Sequence, residues 1–268
     1  MASKSNSLTD EHAVVTGASR GIGFATVRAL AALGARITLV AREPRDLTAR
    51  RDELETEYPG EYHTYAADLT DPEALTAAFA DSTKALGAPS ILVNNVGGVE
   101  TAPFMKMDLE MWRRMIDVNL TTAFLATREV LPAMLEAGHG RIVNVASTAG
   151  IKGYEYVSGY CAAKHGMMGL TRSLASETTG TGVTVNAVCP GYTDTDLIRN
   201  SIEKISKTTG RDPKEIKQEF ADANPGGRLI DPDEVAERIV WLCLPAQDSI
   251  SGQSVIVDGG TERQRDRE

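Results

Sequence analysis

Short apolar runs alternate along the chain with longer stretches in which apolar residues recur at helical spacing. Seven of the runs predict buried β-strands, at residues 12–16, 37–40, 62–66, 91–93, 141–145, 183–188 and 254–257. Helical patterns cover residues 24–30, 72–86, 109–135, 159–176 and 233–242. This alternation predicts an α/β fold in which a parallel seven-stranded sheet is doubly wound, in the manner of a Rossmann domain, with helices on both faces.

A glycine-rich turn joins the first strand to the first helix. Residues 16–23 read Thr-Gly-Ala-Ser-Arg-Gly-Ile-Gly, directly between the two patterns. Glycines let the backbone turn tightly and approach a pyrophosphate, and the helix N-terminus offers unpaired N–H groups to it. The turn therefore predicts a dinucleotide site, although its glycines at 17, 21 and 23 depart from the commoner G-x-G-x-x-G spacing.

Tyr160 and Lys164 form a second candidate site, with Ser147 upstream of them. Their spacing of four puts the phenol and the ammonium on one helix face, one turn apart. A nearby ammonium lowers the pKa of a phenol, which is ordinarily about 10. A tyrosine tuned in this way can exchange a proton with a ketone or alcohol oxygen that Ser147 holds. These residues predict chemistry that interconverts an alcohol and a ketone.

Several polar or turn residues follow directly after predicted strands. Asp68, Asn94, Ser147 and Pro190 each fall just past a strand end. Because ligands of open parallel sheets bind at the carboxyl ends of the strands, these positions are expected to converge on one edge. The two candidate sites are therefore predicted to be one.

The motifs resemble those of the short-chain dehydrogenase/reductase family over nearly the whole chain. Residues 16–23 match TGxxxGxG, residues 94–97 read Asn-Asn-Val-Gly where the family usually has NNAG, and Ser147 lies thirteen residues before Tyr160. Residues 190–195 match PGxxxT, and Val-Asp-Gly-Gly at 257–260 closes the last strand. Residues 147–150, 160–169 and 224–228 look most like 3-oxoacyl-thioester reductases and 3-hydroxyacyl-CoA dehydrogenases.

The resemblance implies a role for each matching residue. Tyr160 is expected to be the acid-base and Ser147 to hold the substrate oxygen; Lys164 would hold the nicotinamide ribose and lower the tyrosine pKa. Asn119 would kink its helix and support a proton relay, and Asp68 would contact adenine. The expected cofactor-binding residues are Gly17, Ser19, Arg20, Gly21, Ile22, Gly23, Arg42, Asp68, Leu69, Asn95, Tyr160, Lys164, Pro190, Gly191, Thr193 and Thr195.

Two arginines bear on the choice of cofactor. Arg42 follows the second strand, where an acid would bind the ribose 2′-hydroxyl of NAD, and Arg20 lies in the glycine turn. Two guanidinium groups suit a 2′-phosphate, so NADP(H) is preferred. NAD(H) stays possible because Glu43 adjoins Arg42, and the alternative is a pair of solvated surface arginines.

The substrate end of the site is less defined. Tyr154 and Tyr156 lie between Ser147 and Tyr160, where they could contact a substrate or simply pack. Residues 194–226 form an insertion that the family uses as a substrate lid. Its basic residues predict contact with an anionic ligand such as a CoA or carrier-protein thioester, with a solvated charged face as the alternative: Arg199, Lys204, Lys207, Arg211, Lys214 and Lys217.

Composition restricts the remaining possibilities. The net charge of −9 argues against nucleic-acid and anionic-membrane partners, and no apolar run reaches the ~20 residues of a membrane helix. The start lacks an apolar signal region, and Cys161, Cys189 and Cys243 have no metal-site spacing, so we expect a cytoplasmic protein with reduced thiols and no metal. The absence of interdomain linkers predicts one dinucleotide-binding catalytic domain over residues 1–268, with flexible ends at 1–9 and 261–268.

Helices 109–135 and 159–176 are more apolar than one buried face requires. The family uses them as a subunit interface, which predicts a homotetramer or a homodimer; burial within the monomer is the alternative. The preferred substrate is a 3-oxoacyl thioester, and the other candidates are small aromatic, cyclic or polyketide-like ketones. A non-catalytic cofactor sensor is disfavoured because Asn119, Ser147, Tyr160 and Lys164 are all present.

Overall fold

A computed structural model describes residues 7–260. Its seven strands form one parallel sheet in the order β3-β2-β1-β4-β5-β6-β7, which confirms the predicted fold. All seven strands lie at the predicted positions to within a few residues. Their bounds are β1 His12–Thr16, β2 Arg36–Ala41, β3 Tyr62–Ala66, β4 Ile91–Asn94, β5 Gly140–Val145, β6 Val183–Pro190 and β7 Ser254–Val257.

Helices cover both faces of the sheet. One core packs side chains of β1 and β2 against α1, α2 and α9, and the other packs the opposite faces of the strands against α3, α5 and α6. The strands in the middle of the sheet are buried on both faces and therefore rich in apolar residues, which is why the runs could be read from the sequence. The helix bounds are α1 Gly21–Ala31, α2 Pro44–Glu57, α3 Pro72–Leu86, α4 Leu109–Ile116, α5 Thr122–Ala137, α6 Ser158–Glu177, α7 Asp196–Thr209, α8 Pro213–Asp222 and α9 Pro232–Cys243.

The predicted helix 109–135 is not continuous. A π-helical turn, Asp117–Thr121, separates α4 from α5. Within it the buried side chain of Asn119 donates from Nδ2 to the carbonyl of Met115 at 3.0 Å, in place of a regular backbone bond. An inserted side-chain amide of this kind explains the interruption. The turn brings Asn119 to the carboxyl edge of the sheet.

The start of the chain is ordered earlier than predicted. Leu8 is only 1% exposed and belongs to the core under α1, and its N–H bonds to the carbonyl of Leu33 at 2.9 Å. The prediction of a flexible start is therefore wrong for residues 7–9, because an apolar side chain anchors them. Residues 1–6 and 261–268, the rest of the predicted flexible ends, lie outside the described residues. Within residues 7–260, no helix is long and apolar enough to cross a membrane.

Candidate active site

The glycine-rich turn follows β1. The strand order reverses at β1, because the chain continues to β2 on one side of it and returns to β4 on the other. Gly17 has φ +66°, a conformation that other residues rarely adopt. A Cβ on Gly23 would lie 2.2 Å from the carbonyl oxygen of Gly17, so only glycine fits there. Asn95 fastens the turn from below, donating from Nδ2 to the carbonyls of Thr16 at 3.0 Å and Gly17 at 3.1 Å. At the N-terminus of α1 the glycines therefore leave the backbone N–H groups uncovered by side chains.

A cleft of about 1480 Å³ opens above this turn and runs along the carboxyl edge of the sheet. Fifteen of the sixteen residues predicted to bind the cofactor line it. Gly23 does not, because it lies beneath the turn, where it allows the close packing described above. The fifteen are Gly17, Ser19, Arg20, Gly21, Ile22, Arg42, Asp68, Leu69, Asn95, Tyr160, Lys164, Pro190, Gly191, Thr193 and Thr195.

The four residues predicted to be catalytic line the same cleft: Asn119, Ser147, Tyr160 and Lys164. Ser147 lies two residues past the end of β5 and begins a short helical turn, where its Oγ accepts from the N–H of Ala149 at 3.0 Å. Tyr160 and Lys164 lie on α6, with the Lys164 Nζ 5.7 Å from the centre of the Tyr160 ring. The turn of α6 thus places the phenol, the ammonium and the serine hydroxyl around one end of the cleft.

Burial, rather than the lysine, dominates the acidity of Tyr160. Removal of the phenol from solvent raises the pKa of Tyr160 to about 12, and the side chain of Ser147 opposes this rise. The phenols of Tyr154 and Tyr192 raise it slightly further. In the protein by itself the net shift of the Tyr160 pKa is upward, because burial of the phenol is the largest cause; the lowering of this pKa by Lys164 stays a prediction.

Lys164 is itself affected by its surroundings. The residue is 3% exposed, and burial lowers the pKa of Lys164 to about 8. Its Nζ donates to the carbonyl of Val145 at 2.9 Å, which fixes the side chain against the end of β5. At neutral pH the ammonium form still predominates. It supplies one positive charge to the wall of the cleft.

Asn119 is held on both sides by backbone groups. Its Oδ1 accepts from the N–H of Gly98 at 3.1 Å, and its Nδ2 donates to the carbonyls of Gly98 at 2.8 Å and Met115 at 3.0 Å. Both amide hydrogens are thus used within the protein. A Cβ on the neighbouring Gly97 would lie 2.8 Å from Asn119 Oδ1 and 3.6 Å from Lys164 Nζ. The proton relay implied for Asn119 stays a prediction.

The opposite end of the cleft carries the two arginines. Arg20 and Arg42 are both exposed and both line it, as does Glu43. Hydrogen bonds from the N–H and hydroxyl of Thr70, with the charge of Arg42 nearby, keep the pKa of Asp68 below its usual value. Arg20 also lies 3.9 Å from Asp196 at the start of α7. This end offers a carboxylate acceptor and two mobile cations.

Aromatic rings line the cleft beside Ser147 and Tyr160. Tyr154 exchanges a hydrogen bond with Thr148 at 2.8 Å, and its ring meets the edge of Tyr192 with centres 6.1 Å apart. Tyr192 also packs on Phe220 from α8, at 4.8 Å. The sequence analysis missed Tyr192 and Phe220; the position of Tyr192 directly after Pro-Gly was a usable signal for the first, but no pattern marked the second.

Tyr156 has a different setting from Tyr154. It has φ +64°, the single non-glycine residue with positive φ among residues 7–260, and its side chain is largely exposed. Its carbonyl accepts from the N–H of Ala102 at 2.8 Å, across the mouth of the cleft. Both tyrosines line the cleft, so the predicted contact of each with a substrate stays open.

The inserted segment 194–226 folds into α7 and α8 over the cleft. Ion pairs within the segment occupy most of its basic residues: Arg199 with Asp194 and Asp196, Lys217 with Asp194, Lys207 with Glu203, and Arg211 with Glu219. Acidic side chains of the segment thus pair with four of its six predicted basic residues, and the predicted contact with an anionic ligand stays a prediction. Lys204 does line the cleft.

A doubly wound parallel sheet, a glycine turn at its switch point and a Ser-Tyr-Lys cluster define a dinucleotide-dependent oxidoreductase. The sequence profile described as short chain dehydrogenase matches residues 11–206. The chain belongs to the short-chain dehydrogenase family.

Curated relatives and a solved structure to which the chain is similar are also reductases. The chain is 37% identical to an acetoacetyl-CoA reductase of Rhizobium meliloti, over 92% of this chain and 97% of the other. It is 34% identical to the 3-oxoacyl-acyl-carrier-protein reductase FabG of Aquifex aeolicus, over 92% and 95%. Its fold matches an actinorhodin polyketide ketoreductase solved with NADPH, with a TM-score of 0.88, 35% identity and coverage of 95% and 98%.

Proposed function

We propose that the protein is an NADP(H)-dependent oxidoreductase that interconverts a 3-oxoacyl thioester and the corresponding 3-hydroxyacyl thioester. The arrangement of Ser147, Tyr160 and Lys164 at one end of the cleft that the glycine turn opens carries this proposal. The single sheet through residues 7–260 supports the assignment of one catalytic domain to the chain.

The cleft suits a nicotinamide dinucleotide. The bare backbone at Gly17 and Gly21 and the N-terminus of α1 would hold the pyrophosphate. Asp68 and Leu69 would hold the adenine end, and Lys164 with residues 190–195 would hold the nicotinamide end. When bound, the reduced nicotinamide supplies hydride to the carbonyl carbon of the substrate.

The protein's own contribution is to position the ketone and to supply a proton. The Ser147 hydroxyl donates a hydrogen bond to the ketone oxygen and polarises it. Tyr160 transfers its phenolic proton to that oxygen as the carbonyl carbon gains hydride, which completes the secondary alcohol. A pKa of about 12 keeps Tyr160 protonated at neutral pH, so the donor is present in nearly every molecule. The phenolate regains its proton from water.

Charge at the adenine end supports NADP(H). Arg20 and Arg42 are exposed on the cleft wall, where either could meet a 2′-phosphate, and a guanidinium fork matches phosphate oxygens. The NADPH in the similar polyketide ketoreductase supports the same choice. Glu43 on the same wall is the residue that would favour NAD(H), by accepting from the 2′-hydroxyl.

The thioester substrate rests on likeness to acetoacetyl-CoA and 3-oxoacyl-carrier-protein reductases, and on Lys204 at the cleft wall. A second candidate is a cyclic or polyketide-like ketone. The likeness to a polyketide ketoreductase favours it.

Initial rates with a matched set of ketones test both candidates. Nicotinamide absorbance is followed with acetoacetyl-CoA, its N-acetylcysteamine analogue and 1-tetralone, each with NADPH and with NADH. We expect the highest kcat/KM for acetoacetyl-CoA with NADPH, and a smaller advantage over the analogue at high salt, since salt screens charge contacts. Turnover of 1-tetralone without turnover of either thioester would replace the first candidate by the second.

The surface supports self-association. Leu109 and Trp112 on α4 and Phe124 and Leu135 on α5 expose large apolar side chains, an unusual density for a solvated helix pair. We propose that these helices pair between copies of the chain in a homodimer or homotetramer, which light scattering after gel filtration measures. The three free cysteines, all buried, support a cytoplasmic location.

A further inference from the structure

Asn224 follows α8 at the base of the inserted segment and is 3% exposed. Its Oδ1 accepts from the N–H of Tyr192 at 2.9 Å, and its Nδ2 donates to the carbonyl of Tyr192 at 2.8 Å and to that of Arg228 at 2.7 Å. A side-chain amide thus pairs with both backbone groups of one residue, thirty-two positions away in the chain. This is more than burial of an asparagine requires.

The neighbouring residues are adapted to this pairing. A Cβ on Gly191 would lie 2.4 Å from Asn224 Oδ1, so the glycine makes room for the amide. The carbonyl of Tyr192 also accepts from the N–H of Ile230 at 2.9 Å. Asn224 and Ile230 together hold the strand-like stretch after β6 against the far end of the inserted segment. The backbone of Tyr192 is therefore fixed by Asn224 through both its N–H and its carbonyl, and by Ile230 through its carbonyl.

The ring of Tyr192 projects from this fixed backbone into the wall of the cleft. It packs between Tyr154 from the Ser147 loop and Phe220 from α8, and its hydroxyl makes no hydrogen bond to the residues that the structure describes. A ring held on two sides cannot move aside for a bulky ligand. It therefore sets the space beside the catalytic Tyr160, to whose pKa its own phenol contributes.

We propose that Asn224 is a positioning residue for the ketone substrate, acting through Tyr192, whose fixed ring limits the bulk around the reacting carbonyl. The proposal rests on the ketone-reducing function given above and adds the residue that selects substrate shape. The favoured class is a 3-oxo compound that is unbranched next to the ketone. While the Tyr192 ring is held in place, 3-oxo compounds with a ring next to the ketone should have a lower kcat/KM.

Two 3-oxo esters that differ around the ketone provide the readout: ethyl acetoacetate and ethyl 2-oxocyclohexanecarboxylate. The ratio of their kcat/KM values with NADPH is measured for the wild type, Asn224→Ala, Tyr192→Ala and the double variant. Because the ratio compares two substrates on one enzyme preparation, partial unfolding cancels from it. Asn186→Ala is the matched control, since Asn186 is equally buried and bonds to the backbone of Ile250 at 2.8 Å and Gln253 at 3.0 Å, away from the cleft.

We expect Asn224→Ala to raise the ratio of ring to open-chain ester by roughly tenfold, because small displacements near a reacting centre change rates by such factors. Tyr192→Ala should raise it at least as much, and the double variant should match Tyr192→Ala alone, as coupled residues do. Asn186→Ala should lower the melting temperature and leave the ratio unchanged.

Two results would overturn the role of Asn224. One is an unchanged ratio in Asn224→Ala with a fall in melting temperature like that of Asn186→Ala, which would make Asn224 a structural brace only. The other is an equal change of the ratio by Asn224→Ala in the wild type and in the Tyr192→Ala background. That result would show that Asn224 does not act through the Tyr192 ring. A wild type that reduces neither of these esters, nor acetoacetyl-CoA, nor 1-tetralone would instead refute the ketone-reducing function, and this role with it.

Discussion

His12 at the start of β1 is expected to make the fold acid-sensitive. The residue is 1% exposed; its Nδ1 lies 2.7 Å from the carbonyl of Gly87 and its Nε2 lies 2.9 Å from the hydroxyl of Thr38. A carbonyl can only accept, so Nδ1 carries the proton and Nε2 accepts from Thr38, whose oxygen in turn accepts from Ser82 at 2.9 Å. Protonation of Nε2 would point its N–H at the hydroxyl of Thr38, which now donates to it, so two donors would face each other inside the core.

The size of the effect follows from the displaced pKa. Burial, with a smaller contribution from the charge of Arg36, lowers the pKa of His12 from 6.5 to about 4. The unfolded chain therefore binds this proton at a higher pH than the folded one, and stability falls as pH drops from 6.5 toward 4. Each pH unit between these values is worth about 1.4 kcal/mol, so the complete loss is about 3 kcal/mol, most of it reached by about pH 4.5.

Urea unfolding of the wild type and His12→Asn at pH 7.5 and about pH 4.5 measures this loss. The asparagine amide can still donate to Gly87 but does not titrate, so the variant should be less stable at pH 7.5, with a deficit that shrinks by about 2.5 kcal/mol at the lower pH. A deficit of equal size at both pH values would refute the reasoning.

Three further outcomes concern the cleft. Tyr160→Phe should lower kcat by roughly 10²–10⁴-fold while NADPH still binds by fluorescence titration, and near-normal turnover would exclude Tyr160 as the proton donor. The Kd for NADPH should rise roughly tenfold as pH increases through about 8 and Lys164 loses its charge, a change that Lys164→Met should abolish; a pH-independent wild-type Kd would contradict the charge role. The wild type should prefer NADPH over NADH in kcat/KM by at least about tenfold, and Arg42→Asp should reverse that preference; a wild-type preference for NADH would assign cofactor choice to Glu43.

The strands and the glycine turn that form the cleft could be predicted, because the residue types that each needs are determined within one short segment. A strand buried on both faces is rich in apolar residues, as β1, β4 and β6 are. A backbone that approaches a pyrophosphate needs glycine at fixed offsets, and a Cβ at Gly23 would overlap the carbonyl of Gly17. Such constraints act within one short segment and leave a pattern there.

The elements that could not be predicted depend on long-range contacts. Helix α2 buries only Leu47 and Leu54 among charged residues, which is too little for a helical apolar pattern. The sequence shows the basic residues of the inserted segment but not that Arg199 and Lys217 pair with Asp194. Asn224 shows no sign in the sequence of its pairing with Tyr192, because the two meet only when α7 and α8 have folded.

The acidity of Tyr160 bears on how the rates of ketone reduction and alcohol oxidation should depend on pH. Burial stabilises the neutral phenol and raises the pKa of Tyr160 to about 12, so the proton that reduction consumes is already in place at neutral pH. Oxidation needs the phenolate, which burial disfavours. Lys164 has a pKa of about 8 and so keeps its proton at neutral pH, where its Nζ donates to the carbonyl of Val145. The group that transfers the proton is therefore the phenol of Tyr160 on this mechanism. On the proposed mechanism, the cluster of Ser147, Tyr160 and Lys164 should therefore give a proton to a ketone at neutral pH, and its rate of alcohol oxidation should rise at higher pH.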